Sequence, residues 1–322
     1  MSAIGGFLPL EIAPTLAEDS WHTGAAALAS GRACWHVILR TGRPRRVRLP
    51  FYVCDAVLQP LVAAGIPFEF YAITEAFLPA LDHDPAEGDL VLVVNYFGVL
   101  TGAVESSVEE FGSRVAVDDT QAFFRRGRND VWSFNSARKF FGVPDGGFLY
   151  GPAEHVCELP PSDSADCDHL LSRWAGDDPR AWEQFKQHEA RIGIEPRVMS
   201  IVSRRLLGAV DMDRARRRRQ ANFQELHRRL RAHNAIALPL DTVGSDGPMC
   251  YPFLPTLDVD RRALTRLGIL VPTLWPEISC RREPGFDWER QIARRLLPLP
   301  IDHRYGLAEM ERVAEALLQV LP

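Results

Sequence analysis

The run "DLVLVVNYFG" (89–98) sets five consecutive aliphatic residues between an aspartate and a polar turn. Side chains on a strand alternate between its two faces, so an unbroken apolar run suits a strand covered on both sides. Short β-rich runs recur along the first half: "RVRLPFY" (46–52), "IPFEFYAI" (66–73), "RVAVDDTQA" (114–122), "DVWSFNSA" (130–137) and "GGFLYG" (146–151). Helical patterns separate them, namely "ASGRACWHVILR" (29–40), "DAVLQPLVAAG" (55–65) and "AVESSVEEFG" (103–112). This alternation predicts an α/β fold with a mostly parallel central sheet flanked by helices. In such sheets the chemistry gathers beyond the C-terminal strand ends. Asn95, Asp118 and Ser133 stand at or near such ends.

From 170 to 233 the pattern is helical, and "PMCYPFL" (248–254) and "ILVPTLW" (269–275) read as later strands beside helices at 258–268 and 306–321. The expected organisation is a large α/β domain over 1–200, a long connecting helix over 201–234 and a small α+β domain over 235–322. A chain of 322 residues is long enough for two such lobes.

The formal net charge of −5 argues against a nucleic-acid partner. The basic run "RARRRRQ" (214–220) reads as a solvated helix face. Cysteines at 34, 54, 157, 167, 250 and 280 form no CxxC pair, so neither a zinc site nor a disulfide framework is expected. "MSAIGGFLPLEIAP" lacks the pattern of a signal peptide, and no apolar run reaches about 18 residues. A cytoplasmic location with no membrane partner is the expectation.

Lysine usage singles out one position. Of 37 basic residues only Lys139 and Lys186 are lysines. An ammonium can lose its proton and attack a carbonyl, whereas a guanidinium cannot at physiological pH. Lys186, in "EQFKQHE", reads as a solvent-exposed helix residue; Lys139, between a serine-rich strand end and "PDGG", reads as a reactive amine. Asp118 ends the strand of "RVAVDDTQA". A carboxylate there can hold a pyridinium N–H, and Asp plus Lys is the pairing a pyridoxal phosphate site requires. Taken alone, Asp118 or Asp119 reads better as the cap of the next turn. Ser133 and Ser136, with the amides of the "SGRAC" helix start (30–34), could bind phosphate. There is no GxGxxG after the first strand, no GxxxxGK[ST], no HExxH and no GxSxG. His303 and His83 read as loop residues.

In order, "SGRA", "LPFYVC", "NYFG", "VDDTQA", "SFNSARK" and "DGG", then "LPLPIDHRY", resemble the DegT/DnrJ/EryC1/StrS family of pyridoxal-phosphate sugar aminotransferases with fold type I. The resemblance spans nearly the whole chain, and its most specific part is Asp118-x-x-Gln121 followed by Ser133-Phe134 and Lys139. It implies pyridoxal 5′-phosphate as cofactor, carried by Lys139. Asp118 would pair with the pyridine nitrogen, and Gln121 would lie near the ring. Ser133 or Ser136, with the amides of Gly31 and Arg32, would hold the phosphate. The position where an aromatic side chain commonly covers the ring is Cys54, with Tyr52 or Tyr96 as compensating neighbours. Gly193-Ile194-Glu195-Pro196-Arg197 stands for a segment that reaches the partner subunit's phosphate. The implied substrates are an amino donor, usually glutamate, and a nucleotide-linked keto-sugar, in a homodimer with shared active sites. Two rival readings are a sugar dehydration, against which Lys139 speaks, and a non-catalytic descendant, which Glu195 and Cys54 keep open.

Overall fold

The computed structural model describes residues 21–152, 159–162, 166–243 and 246–321; Cys157 and the N-terminal stretch read for a targeting signal lie outside the described residues. The large sheet has eight strands: β1 (Ala26–Leu28), β2 (Arg46–Pro50), β3 (Phe68–Ile73), β4 (Pro79–Ala80), β5 (Asp89–Val94), β6 (Val115–Asp118), β7 (Trp132–Phe134) and β8 (Gly147–Tyr150). Their spatial order is β1-β8-β7-β6-β5-β2-β3-β4. The five strands from β3 to β7 in that order run parallel, and β1, β8 and β4 join antiparallel at the edges. Every residue of β5 is buried, as its unbroken apolar run requires.

Chain order turns back between β2 and β5, which places a crevice at their C-terminal ends. α1 (Gly31–Gly42) follows β1, capped where Ser30 Oγ accepts the Ala33 N–H at 3.0 Å. α2 (Leu58–Ala64) and α3 (Thr101–Phe111) link the next strands. β1 and β4 escape a sequence reading because two or three residues of Ala, Leu or Pro carry no β signal.

The helical region begins with α4 (Asp168–Trp174) and α5 (Asp178–Arg191). The single connecting helix expected over 201–234 is in fact two, α6 (Ile201–Gly208) and α7 (Met212–Leu230). Asp211 interrupts it by taking extended backbone and capping the Arg214 N–H, the role short acids favour over helix interior. A second sheet pairs β9 (Cys250–Phe253) with β10 (Leu297–Pro300), beside α8 (Arg261–Arg266), α9 (Asp287–Arg295) and α10 (Leu307–Val320).

The strand expected at "ILVPTLW" (269–275) is irregular coil. Pro272 removes a ladder donor, and Trp275 adopts a left-handed φ of 53° that ends any extended run. "LPLP" forms β10 despite its prolines because a two-stranded ribbon leaves one edge without ladder bonds.

Gly147 brings β8 against the start of α1. A Cβ there would stand 2.8 Å from the Asn135 carbonyl oxygen and 3.0 Å from the Gly31 nitrogen, both backbone atoms. Gly147→Ala is expected to destabilise the protein by roughly 1–3 kcal/mol through this overpacking. A drop in the thermal unfolding midpoint checks it; an unchanged midpoint contradicts the close approach.

Candidate active site

β6 ends on one acid, Asp118, and a second, Asp119, follows it directly; their surroundings set them apart. Asp119 is fully engaged: Arg125 Nη1 donates to its Oδ2 at 2.5 Å and Asn95 Nδ2 to its Oδ1 at 3.1 Å. Burial pushes its carboxyl up to about 6, and Arg125 restrains that rise. Among the described residues Asp118 accepts from Thr120 alone, from its N–H at 2.8 Å and from its hydroxyl. It thus does cap the next turn, yet its carboxylate also feels Lys139. Burial raises its pKa, while the Lys139 charge and the Thr120 bonds pull it back.

Breaking the Asp119–Arg125 pair leaves a guanidinium that is 7% exposed with only Glu105 for company. Asp119→Ala is expected to cost about 3–5 kcal/mol, the usual penalty for orphaning a buried charge. Chemical denaturation checks it: a midpoint close to that of the unaltered protein would contradict the pairing.

Lys139 closes a short turn (Ala137–Lys139) after β7. The turn is pinned on one side by the Ala137 N–H to the Gly146 carbonyl, 3.0 Å, and Gly146 N–H in turn reaches the Ala29 carbonyl, 2.7 Å. On the other side the buried Arg219 of α7 donates to the Phe140 carbonyl at 3.2 Å and lies 4.5 Å above the Phe140 ring. The Lys139 ammonium donates to Thr120 Oγ1 at 3.0 Å and faces a cavity of about 660 Å³. Thr120 therefore bridges the amine and the carboxylate.

Gly31, the first residue of α1, abuts the same threonine. A Cβ on Gly31 would fall 3.2 Å from Thr120 Cγ2 and 3.3 Å from the Asn135 carbonyl oxygen, so a larger residue would press on both and glycine eases the close approach of the helix start. A helix N-terminus directs free amides and a partial positive charge outward. Arg32, next in α1, donates to the Ile192 carbonyl at 2.8 Å and lies 3.8 Å from Glu189. Arg138 pairs with the same Glu189 from the lysine turn. Two guanidiniums thus share one carboxylate beside the α1 terminus. Burial, then the Arg32 charge, lowers Arg138 to about 10.

Gln121 is buried on the cavity wall, its Oε1 accepting the Phe97 N–H at 2.5 Å. Cys54, half-buried just after β2, feels both Lys139 and Asp118; burial raises its thiol and the lysine charge lowers it. Tyr52 and Tyr96 sit in the core, 0% and 1% exposed, with Tyr96 Oη donating to the Tyr52 carbonyl. Trp275, 4.7 Å from the Tyr52 ring, is the member of that cluster that lines the cavity.

The two serines separate. Ser133 Oγ is buried without a partner, and Gly127 and Tyr150 pack around it. The next residue, Phe134, stacks on Trp35 of α1 from the opposite face of β7. Strand alternation therefore turns Ser133 away from the α1 terminus, so the structure does not bring it to the lysine. Ser136, after the strand ends, leads directly into the lysine turn. Residues 193–197 lie along the same chain's α1: His36 Nδ1 meets the Ile194 carbonyl oxygen at 2.9 Å, and the Ala29 N–H donates to the Arg197 carbonyl at 2.8 Å. Glu195 is exposed.

Several cavity residues have no motif to betray them. Arg219, read as part of a solvated face, is 1% exposed and lines the cavity, because α7 turns Ala215, Arg219, Asn222 and Phe223 inward. That inward spacing at intervals of three and four was the available signal. Arg138, Trp275 and His303 carry no comparable sequence mark, nor does Thr120 behind Lys139. Among the described residues, no helix is long and apolar enough to cross a membrane, and no cluster of three or more His, Cys, Asp or Glu could hold a metal ion.

No protein-family model matches the sequence, and no curated protein matches it. Solved structures do match. A DegT DnrJ EryC1 StrS aminotransferase from Brucella abortus superimposes with a TM-score of 0.66 at 14% identity, over 92% of this chain and 86% of that one. The sugar aminotransferase CalS13 from Micromonospora echinospora gives 0.65 at 16% identity, over 92% and 87%. DesV from S. venezuelae, solved in complex with a ketimine intermediate, gives 0.63 at 18% identity, over 92% and 84%. The fold is that of the fold-type I pyridoxal-phosphate aminotransferases, as in these DegT/DnrJ/EryC1/StrS-type structures.

Proposed function

We propose that this protein is a pyridoxal-phosphate-dependent aminotransferase that passes an amino group, with glutamate as donor, to a keto-sugar carried on a nucleotide. The observation that carries the reading is the Lys139 amine on the cavity wall, joined through Thr120 to the buried Asp118 carboxylate. The residues fit the cofactor: an amine on the cavity wall, a buried acid at a strand end, and a helix start that glycine brings close enough to cradle a phosphate. Pyridoxal phosphate, when bound, supplies an electron sink.

The chain's own residues would do the rest. Lys139 would hold the cofactor covalently and, when released, move a proton as general acid and base. Asp118, ionised, would accept the ring N–H and keep that nitrogen protonated. Ser136, the Gly31 and Arg32 amides and the Arg138 guanidinium would grip the phosphate. Gln121 and Cys54 would border the ring. Completion of the site by a second subunit, in a homodimer, belongs to the same proposal and rests on the sequence resemblance.

Purified protein mixed with pyridoxal phosphate should show the visible absorption band of a lysine-bound cofactor, and glutamate should bleach it. A protein that gives no band, or a band that no amino donor bleaches, would sink the reading.

A further inference from the structure

Among the described residues, three of the four non-glycine positions with left-handed φ belong to one aromatic cluster: Phe77 (60°), Phe97 (60°) and Trp275 (53°). Tyr52 and Tyr96 tie the three together. A bulky side chain at such a φ is strained, and Pro276 adds to it by pressing the residue before it toward extended backbone. Strain of this kind persists only where the surrounding contacts impose it.

At Trp275 those contacts reach one loop, residues 51–55 after β2. Glu277 Oε1 accepts the Asp55 N–H at 3.1 Å. Arg281 donates to the carbonyls of Phe51 and Val53 and to Asp55 Oδ1. The Trp275 ring itself packs 4.7 Å from that of Tyr52. Residues 275–281 are thereby fastened to the loop that carries Cys54, the thiol that feels both Lys139 and Asp118. The clamp sets Trp275 on the cavity wall together with Lys139.

The other aromatic side chains this chain puts on that wall already carry a neighbour. Phe140 lies beneath the Arg219 guanidinium, Phe141 packs against His303, and Phe185 stacks on Trp182. Tyr52 and Tyr96 meet Trp275 at 71° and 61°, so neither lies flat on the indole. A flat heterocycle gains by stacking on such a face. We propose that Trp275 is the aromatic cover of the pyridine ring that Lys139 carries. The sequence resemblance puts a cover at Cys54; the clamp supplies one from the C-terminal part of the chain instead. This rests on the aminotransferase reading and concerns one face of the ring, so a second subunit can still complete the site.

The test titrates the purified protein with pyridoxal phosphate and reads the visible band. Trp275→Leu keeps apolar bulk without a flat face and is expected to weaken cofactor binding by about tenfold or more. Trp275→Phe keeps a face and should stay within about threefold. Inorganic phosphate, titrated as a competitor, reaches the helix-start side of the site alone, and its competition constant should be the same in all three proteins. If the leucine form does not fold, Trp275→Met, whose flexible side chain refills the space, takes its place. Unchanged cofactor affinity without the indole overturns the proposal and leaves the cover to another group, in this chain or in a second subunit. A phenylalanine form as weak as the leucine form overturns it too. So does phosphate binding that weakens in step with the cofactor, the mark of a merely structural role. Absence of the band, or of phosphate competition, in the unaltered protein points instead to failure of the underlying aminotransferase reading.

Discussion

Lys139→Arg should abolish the visible band of bound pyridoxal phosphate and lower transamination by roughly 10³- to 10⁴-fold or more. Arginine is the informative replacement because it keeps the positive charge. Asp118 is a buried acid whose pKa is raised by burial and held back first by the Lys139 charge. Alanine would remove that charge and drive the Asp118 carboxyl upward, so a dead alanine variant would confound two losses. Arginine preserves the field and can still donate to Thr120, but it offers no amine to a carbonyl. The fold should tolerate it: the Lys139 side chain is exposed to the cavity and makes one hydrogen bond to Thr120. The unfolding free energy is expected to stay within about 0.5 kcal/mol. Absorbance spectra, turnover and thermal unfolding together decide it. A surviving band, or activity near that of the unaltered protein, would remove Lys139 from its assigned role.

Sequence legibility followed the physical character of each signal. The unbroken apolar run of β5 demanded a doubly covered strand, and the sheet direction followed from the helices between strands. Lys139 stood out because composition had removed almost every other lysine. Register was less accessible. Ser133 and Ser136 differ by three residues, yet only the alternation of β7 shows that Ser133 turns toward Tyr150 and Gly127. Which of two neighbouring acids remains available was also hidden, because Arg125 and Asn95 reach Asp119 from elsewhere in the fold. Trp275 and His303 belong to coil, where no periodicity reports burial. The arginine run misled at Arg219, where charge suggested solvent, while its guanidinium donates to three backbone carbonyls and lies over an aromatic face inside.

Asp118→Asn separates the functional account from a structural one by sign. The amide keeps the shape and can still accept the Thr120 N–H, so the turn after β6 is retained. Only the negative charge is lost. Asp119 cannot replace it, since its carboxylate is held by Arg125 and Asn95. Transamination is therefore expected to fall by about 10²- to 10⁴-fold, with covalent capture at Lys139 still visible. Stability should move the other way. A carboxylate whose folded pKa lies above its unfolded value weakens the fold once it ionises. That penalty is absent below the unfolded pKa and grows as pH rises through the folded one. At neutral pH the uncharged asparagine escapes it, so the thermal midpoint should hold or rise while activity drops. The acid limb of the activity profile, which reports loss of the Asp118 charge above the ordinary carboxylate range, should disappear with the substitution. A variant that loses stability and activity together would mark Asp118 as a turn cap alone; one that loses midpoint stability but keeps turnover would contradict both the burial argument and the assigned role.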